Sequence, residues 1–308
     1  MIIGNMKVLI LGGKSGFIGQ NIDNQLGSTF DLEFLSMRNF DIMNKSFTAD
    51  CVINLVGKAH DHTGTAIESD YFHANVELAK KAFQIFISSS AKIFIHISSL
   101  AAIEELESDK ALSEKDECNP VSWYGKSKRA AEQWLLKQEL PMHKKLIILR
   151  PPMVHGPGDK GNLGLLYKFI SKGIPYPLAS FDNHRSFISI DNFCYFIEQI
   201  IENNHKLATG IYHISDDEPL STSEIIDVIK KVTGKHTRNL ALPKVLVRGI
   251  AKIGDTIPIP LNTKRLKKLT SNLLVSNQNI KDVLAIKRLP LTAKKGLEIT
   301  IRSLSEKK

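Results

Sequence analysis

A phenol and an ammonium stand four residues apart in Tyr124-Gly-Lys-Ser-Lys128. On a helix that spacing puts both on one face, where the cation stabilises phenolate and lowers the tyrosine pKa towards neutrality. The chemistry expected of such a pair is proton exchange with a hydroxyl or ketone oxygen. A second hydroxyl for the same oxygen comes from Ser99 in His96-Ile-Ser-Ser-Leu100, with Ser98 as the alternative. The chain holds six tyrosines and 41 Lys and Arg residues, so a Tyr-x-x-x-Lys pair alone carries little weight. Its place in the chain gives it weight: it follows the serine pair, a segment containing Asn75, and a glycine-rich stretch near the start.

That stretch, Val8-Leu-Ile-Leu-Gly-Gly-Lys-Ser-Gly-Phe-Ile-Gly19, sets Gly13, Gly16 and Gly19 three residues apart. It lies between an apolar run and an amphipathic one. Glycines so placed let the backbone turn tightly and let a pyrophosphate rest on free N–H groups at a helix N-terminus, with Phe17 and Ile18 anchoring the helix.

The elements that must position these groups follow from periodicity. Residues 7–11, 51–55, 93–97 and 146–149 are short apolar runs that read as buried parallel strands, and 17–26, 68–87 and 123–138 have helical spacing. The alternation predicts an α/β fold, a Rossmann-type doubly wound parallel sheet with a smaller C-terminal substrate-binding lobe. Residues 1–155 are expected to form the dinucleotide-binding domain and 156–308 mainly the lobe, because loops rich in Gly and Pro follow Arg150-Pro151-Pro152. Residues 187–190, the helix 191–202 and the strand 211–214 are expected to return to the sheet. Helices are expected from Ser223, with Ser221 or Ser223 as N-cap, and from Pro243.

Composition narrows the class. With 43% hydrophobic and 24% charged residues, the 308-residue chain is ordinary globular material. Cys51, Cys118 and Cys194 are far apart and form no CxxC pattern, which predicts neither disulfides nor a cysteine metal site and fits a reducing, cytoplasmic compartment. The opening run is broken by Lys7 and the glycines, and no run reaches the roughly 18 apolar residues of a membrane span. A net charge of +9 admits nucleic acid, anionic lipid or a polyanionic small substrate. No aromatic-rich basic stripe is present, so nucleic acid is not expected. His60-Asp-His62 has alternate ligand spacing but no third ligand, so a solvated loop and no metal are expected. Residues 243–257 are amphipathic, with Lys244, Arg248 and Lys252 preceding the basic run 264–268. Packing within the lobe is the expectation there, with contact to an anionic membrane as the alternative.

The ordered set of glycine turn, Asn75, Ser99, Tyr124 and Lys128 resembles the extended short-chain dehydrogenase/reductases, also called the NAD-dependent epimerase/dehydratase family, from Met6 to Leu304. The resemblance implies that Tyr124 exchanges a proton with a sugar hydroxyl, that Ser99 polarises the carbonyl, and that Lys128 also holds the nicotinamide ribose. Asn75 resembles the asparagine that braces this site. Asp41-Ile42 resembles the pair that meets adenine, and Asn54-Leu55-Val56-Gly57 the turn behind the nicotinamide ribose, with Pro151 also on the cofactor side. The implied cofactor is NAD(P). The end of the second strand, Glu33-Phe-Leu-Ser-Met-Arg38, has no acid for a ribose 2′-hydroxyl, and its Ser36 and Arg38 favour NADP(H). Where many members carry V-Y-G after the serine strand, this chain has Ala101-Ala-Ile-Glu-Glu105.

The segments 149–158, 160–162 and 185–192 are similar to nucleotide-sugar members, with His155 in place of a usual tyrosine and Asn162 and Arg185 matching residues that grip the diphosphate. The implied substrate is a UDP-sugar. The segments 161–178 and 183–193 resemble reductases of UDP-4-keto-6-deoxy-N-acetylhexosamines, and 4-epimerases share the site. Dehydration is not expected, since Leu100-Ala101-Ala102 is without acids and Glu104 and Glu105 lie a turn or more beyond. A non-catalytic NADP(H)-binding sensor or scaffold is the remaining alternative, against which the intact Ser99, Tyr124 and Lys128 speak. The family likeness also implies a homodimer through 68–87 and 123–138.

Overall fold

A computed structural model describes residues 5–38, 47–59, 65–159, 161–173, 175–235, 240–257 and 262–306. Asp41, Ile42, Lys160 and the His60-Asp61-His62 segment lie outside the described residues, and of Asn162 only the backbone is described.

Among the described residues six strands form one parallel sheet: β1 (Lys7–Leu11), β2 (Asp31–Leu35), β3 (Cys51–Asn54), β4 (Ile93–Ile97), β5 (Lys145–Arg150) and β6 (Gly210–His213). Their order is β6-β5-β4-β3-β1-β2. The chain goes first to one side of β1 and then to the other, so the crevice outside the strand ends between β1 and β3 is where such sheets bind ligands.

Alternation along each strand gives the sheet two apolar faces. Val8, Ile10, Ile53, Ile95, Ile147 and Leu149 face Ile22 and Leu26 of α1 (Phe17–Leu26) and Phe193, Phe196 and Ile200 further along the chain. Leu9, Leu11, Val52, Phe94, Leu146 and Ile148 face Ala82, Phe83, Phe86 and Leu135. The first three of those belong to α2, built from Glu68–Phe72, a π-helical turn at His73–Glu77, and Leu78–Ser88. Leu135 belongs to α3 (Trp123–Leu136), which is N-capped by Ser122 accepting from the Gly125 N–H at 3.1 Å.

Beyond β5 the chain forms α4 (Asn162–Ser171), α5 (Ile190–Glu202), α6 (Thr222–Thr233), α7 (Lys244–Ile253), α8 (Thr263–Thr270), α9 (Gln278–Leu284) and α10 (Ala293–Glu306). A separate core joins Leu163 and Ile170 of α4, Ile226 and Ile229 of α6, and Leu297 and Ile301 of α10. Ser221 caps α6 in a capping box with Glu224. Gly210–His213 joins the main sheet as expected, whereas Phe187–Ser189 does not: it pairs in parallel with Met153–His155 as a two-stranded ladder of its own. No helix among the described residues is long and apolar enough to cross a membrane.

Candidate active site

β1 runs directly into Gly12 and Gly13, both at φ +75°, a conformation that a Cβ disfavours. A Cβ at Gly19 would stand well inside contact distance of the Gly13 carbonyl oxygen, and the Gly16 N–H donates to that same oxygen at 2.8 Å. Backbone therefore packs on backbone. Gly16 is the N-cap of α1 and no side chain caps the helix, leaving its start open to an anion.

The helix start opens on a cleft of about 1540 Å³ at the carboxyl ends of the strands. Gly13, Gly16, Phe17, Ile18 and Gly19 line it, with Leu55 and Gly57 after β3, Ser99 after β4, Tyr124 and Lys128 of α3, Pro151 after β5, and Arg185. Elements far apart in sequence thus bring the expected acid/base group and the glycine turn to one space.

Ser99 and Ser98 are consecutive at the end of an extended strand, so their side chains diverge. Ser98 donates inward to Glu132 Oε1 at 2.6 Å, while Ser99 Oγ accepts from the Ala101 N–H at 3.2 Å and acts to lower the pKa of the Tyr124 phenol. Tyr124 sits in the first turn of α3, and Lys128 one turn on donates from Nζ to the Ile97 carbonyl at 2.9 Å. Burial pulls the Lys128 pKa down to about 8, against the carboxylate of Glu132, which raises it. The Tyr124 pKa is raised rather than lowered: desolvation dominates, the Ser99 hydrogen bond opposes it, and the Glu105 carboxylate adds to it. The sequence expectation of a lysine-depressed tyrosine is thereby corrected, because the ammonium is turned to the end of β4 and desolvation governs the phenol.

Glu104 and Glu105, a turn beyond Ser99, also line the cleft. A 3₁₀ turn at Leu100–Ala102 folds the chain back after β4. Glu105 Oε1 then accepts from the Ser122 N–H and Ser122 Oγ, both at 2.8 Å, and clamps the start of α3. Glu104 Oε1 accepts from the N–H groups of Glu105 and Leu106, both at 2.8 Å. A Cβ at Gly125 would collide with the Ala101 carbonyl, which makes that contact specific to glycine.

Arg185 reaches the cleft from the other wall. Its Nη1 donates to the carbonyls of Leu106, Lys268 and Ser271 at 3.1–3.3 Å, and burial lowers its pKa to about 10. No carboxylate pairs with it among the described residues, so its charge is available to an anionic ligand.

The model of the NAD dependent epimerase/dehydratase family matches residues 8–215. The chain belongs to that family. A family relative, "UDP-glucose 4-epimerase" of Vibrio cholerae, is 28% identical over 96% of this chain and 95% of its own length. Another, "N-acetyl-alpha-D-glucosaminyl-diphospho-ditrans,octacis-undecaprenol 4-epimerase" of Escherichia coli O157:H7, is 24% identical over 78% of this chain and 76% of its own. A crystal structure of UDP-glucuronic acid 4-epimerase from Bacillus cereus in complex with NAD has the same fold, with a TM-score of 0.74 at 18% identity, covering 98% of this chain and 99% of that one. The family's dinucleotide fits the residues present, since Gly13, Gly16 and Gly19 line the cleft at the start of α1, where no side chain caps the helix and its free N–H groups suit a pyrophosphate.

Several expected site residues of this epimerase/dehydratase family member stand off the cleft. Val56 is turned away: a Cβ on Gly12 would meet its Cγ2 at 2.7 Å, so it backs the glycine turn. Asn75 is fully buried, bridging Lys58 (N–H to Oδ1 2.8 Å, Nδ2 to carbonyl 3.1 Å) and Ser127 Oγ (2.8 Å). It braces the loop after β3 against α3 and does not itself face ligand. Arg38 is exposed beyond the end of β2 and outside the cleft lining. His155 is the clear correction. It is 1% exposed, its Nδ1 lies 2.9 Å from Thr300 Oγ1 of α10, and burial pushes its pKa down to about 4. The docking of α10 over it, through a contact 145 residues distant, removes it from the substrate side.

Beneath Ser98 lies a pair that sequence reading missed. Glu132 accepts from Arg150 Nε at 2.8 Å and Nη2 at 2.6 Å, and both side chains are fully buried. Glu132 is one turn beyond Lys128, which was the available signal for a third residue on that helix face.

Gly19→Ala is expected to force the turn off α1, costing about 1–3 kcal/mol in overpacking and most of the dinucleotide affinity. A fluorescence titration with the nicotinamide dinucleotide checks this, and unchanged affinity would remove the turn from the cofactor site.

Proposed function

We propose that the protein reduces the C4 ketone of a UDP-4-keto-6-deoxy-N-acetylhexosamine with NAD(P)H. The observation behind this is that Ser99, Tyr124 and Lys128 line the same cleft as the glycine turn. Gly13, Gly16, Phe17, Ile18 and Gly19 would hold the pyrophosphate, Asp41 and Ile42 the adenine, and Leu55, Gly57 and Pro151 the nicotinamide side, with Val56 backing the glycine turn. The end of β2, where Ser36-Met-Arg38 offers no acid to hold a ribose 2′-hydroxyl, favours NADP(H). When bound, the cofactor supplies the hydride.

The chain's own groups handle the oxygen and the proton. Ser99 donates a hydrogen bond to the carbonyl oxygen, stabilising the charge that develops there. Tyr124 gives its proton to that oxygen and regains one from solvent. The raised Tyr124 pKa supports donation, because the phenol keeps its proton through neutral pH. Arg185, with Asn162, grips the diphosphate, and the lobe formed mainly by residues 156–308 encloses the sugar. A homodimer would pair through α2 and α3.

A second reading, 4-epimerisation of a UDP-sugar with retained NAD, is supported by the near full-length similarity to the Vibrio cholerae protein. The two separate cleanly. Incubated with the 4-keto sugar, the protein should oxidise exchangeable NADPH or NADH. Tightly held NAD+ together with interconversion of UDP-glucose and UDP-galactose, or of their N-acetyl forms, would replace reduction by epimerisation; turnover of none of these overturns both.

The pH profile tests the phenol's surroundings. As proton donor, Tyr124 works below its pKa and activity is lost as pH rises through it. Glu105→Gln keeps an acceptor for Ser122 and removes the nearby negative charge, so the loss should begin at lower pH than in the parent protein. A superimposable profile would take Glu105 out of the site's electrostatics.

A further inference from the structure

The least explained surface of the molecule is α7 with its neighbour α8. Only Val247 and Ala251 of α7 are buried, at 2% and 1% exposure. Val245 is 81% exposed, Leu246 52%, Ile250 37% and Ile253 54%, and Ile257 and Leu269 extend the apolar area at 53% and 44%. Packing within the lobe, the sequence expectation, thus accounts for one narrow stripe of this helix. Helical spacing sets Leu246, Ile250 and Ile253 on one flank of the buried stripe and Lys244, Arg248 and Lys252 on the other, with Val245 outermost.

Charge says what covers it. α7 and α8 together hold Lys244, Arg248, Lys252, Lys264, Arg265, Lys267 and Lys268, and neither contains Asp or Glu. Asp255, between them, is held by the Thr263 N–H at 2.9 Å and Oγ1 at 2.6 Å, and Lys267 pairs with Glu107 at 2.7 Å. A second copy docking by a two-fold axis would bring this cationic surface against itself, which is unfavourable. Exposed apolar side chains flanked by snorkelling cations match the headgroup layer of an anionic bilayer.

We propose that the α7–α8 face docks on anionic membrane. Exposed Val245, Leu246 and Ile253 enter the interfacial layer, and Arg248, Lys252 and Lys264 meet lipid phosphates. The face is continuous with the cleft: Lys268 and Leu269 of α8 line it, and Arg185 donates to the Lys268 carbonyl at 3.1 Å. Docking therefore brings the cleft mouth to the lipid surface. This holds whichever C4 reaction the cleft performs.

The test is co-sedimentation of the full chain with vesicles of phosphatidylcholine alone and of phosphatidylcholine with phosphatidylglycerol. Binding to the anionic vesicles only, weakened by salt, is expected. The pair Val245→Glu/Ile253→Glu, at exposed positions, should lower it by at least about tenfold, as should Arg248→Ser/Lys252→Ser, with melting temperatures unchanged. A full chain that stays in the supernatant with anionic vesicles overturns the proposal. So does a glutamate variant that sediments like the parent, or light scattering that shows an oligomer broken by the same substitutions.

Discussion

Tyr124→Phe should lower turnover by about two to four orders of magnitude while leaving dinucleotide binding nearly intact. The substitution removes one oxygen and keeps the ring that lines the cleft beside Ser99. Because the lost contact matters only as the proton moves, kcat and kcat/KM should fall together, with little change in substrate affinity. Steady-state assays paired with a cofactor titration check both halves. Full activity in the variant would shift the proton to another group and end the assigned role. Loss of cofactor binding would show that the phenol acts as part of the binding surface.

Glu132→Ala should cost about 3–5 kcal/mol of stability, the usual result of leaving a buried ion without its partner. Arg150 would be stranded: its Nε and Nη2 both donate to Glu132, and its remaining neighbours are His213 at 3.5 Å and the Cys118 sulfur at 3.5 Å. Urea unfolding measures the loss. The companion pair Glu132→Leu/Arg150→Met should recover much of it, since two apolar groups need no charge partner. The single variant should also lower the Lys128 pKa further, because Glu132 is the group holding it up. A loss within experimental scatter of a surface substitution would mean that water reaches Arg150.

What the sequence made legible is what short-range spacing encodes. The glycine turn, α1 and the placement of Tyr124 and Lys128 on one helix are local patterns, and the parallel strands declare themselves as apolar runs. His155 was misread because its burial depends on α10, and the carbonyls around Arg185 come from residues 106, 268 and 271. The approach of Glu105 to Ser122 needed the 3₁₀ turn after β4, which no periodicity announces. The Phe187–Ser189 segment looked like another sheet strand because an apolar run names no partner. The direction of the Tyr124 shift was missed for a related reason: neighbours on one helix are readable, but the degree of desolvation is a property of the closed cleft.

The π-helical turn at His73–Glu77 adds one residue to a helix whose two ends serve different masters. Tyr71, before it, lines the cleft, and Phe83 and Phe86, after it, are locked into the sheet core. One residue of helix corresponds to about 100° of rotation, so shortening this segment by a single position would swing Tyr71 around the helix axis while the distal half stayed anchored. The bulge acts as a fixed phase offset, making the cleft wall intolerant of length changes in a stretch where amino-acid replacements alone would leave the register intact.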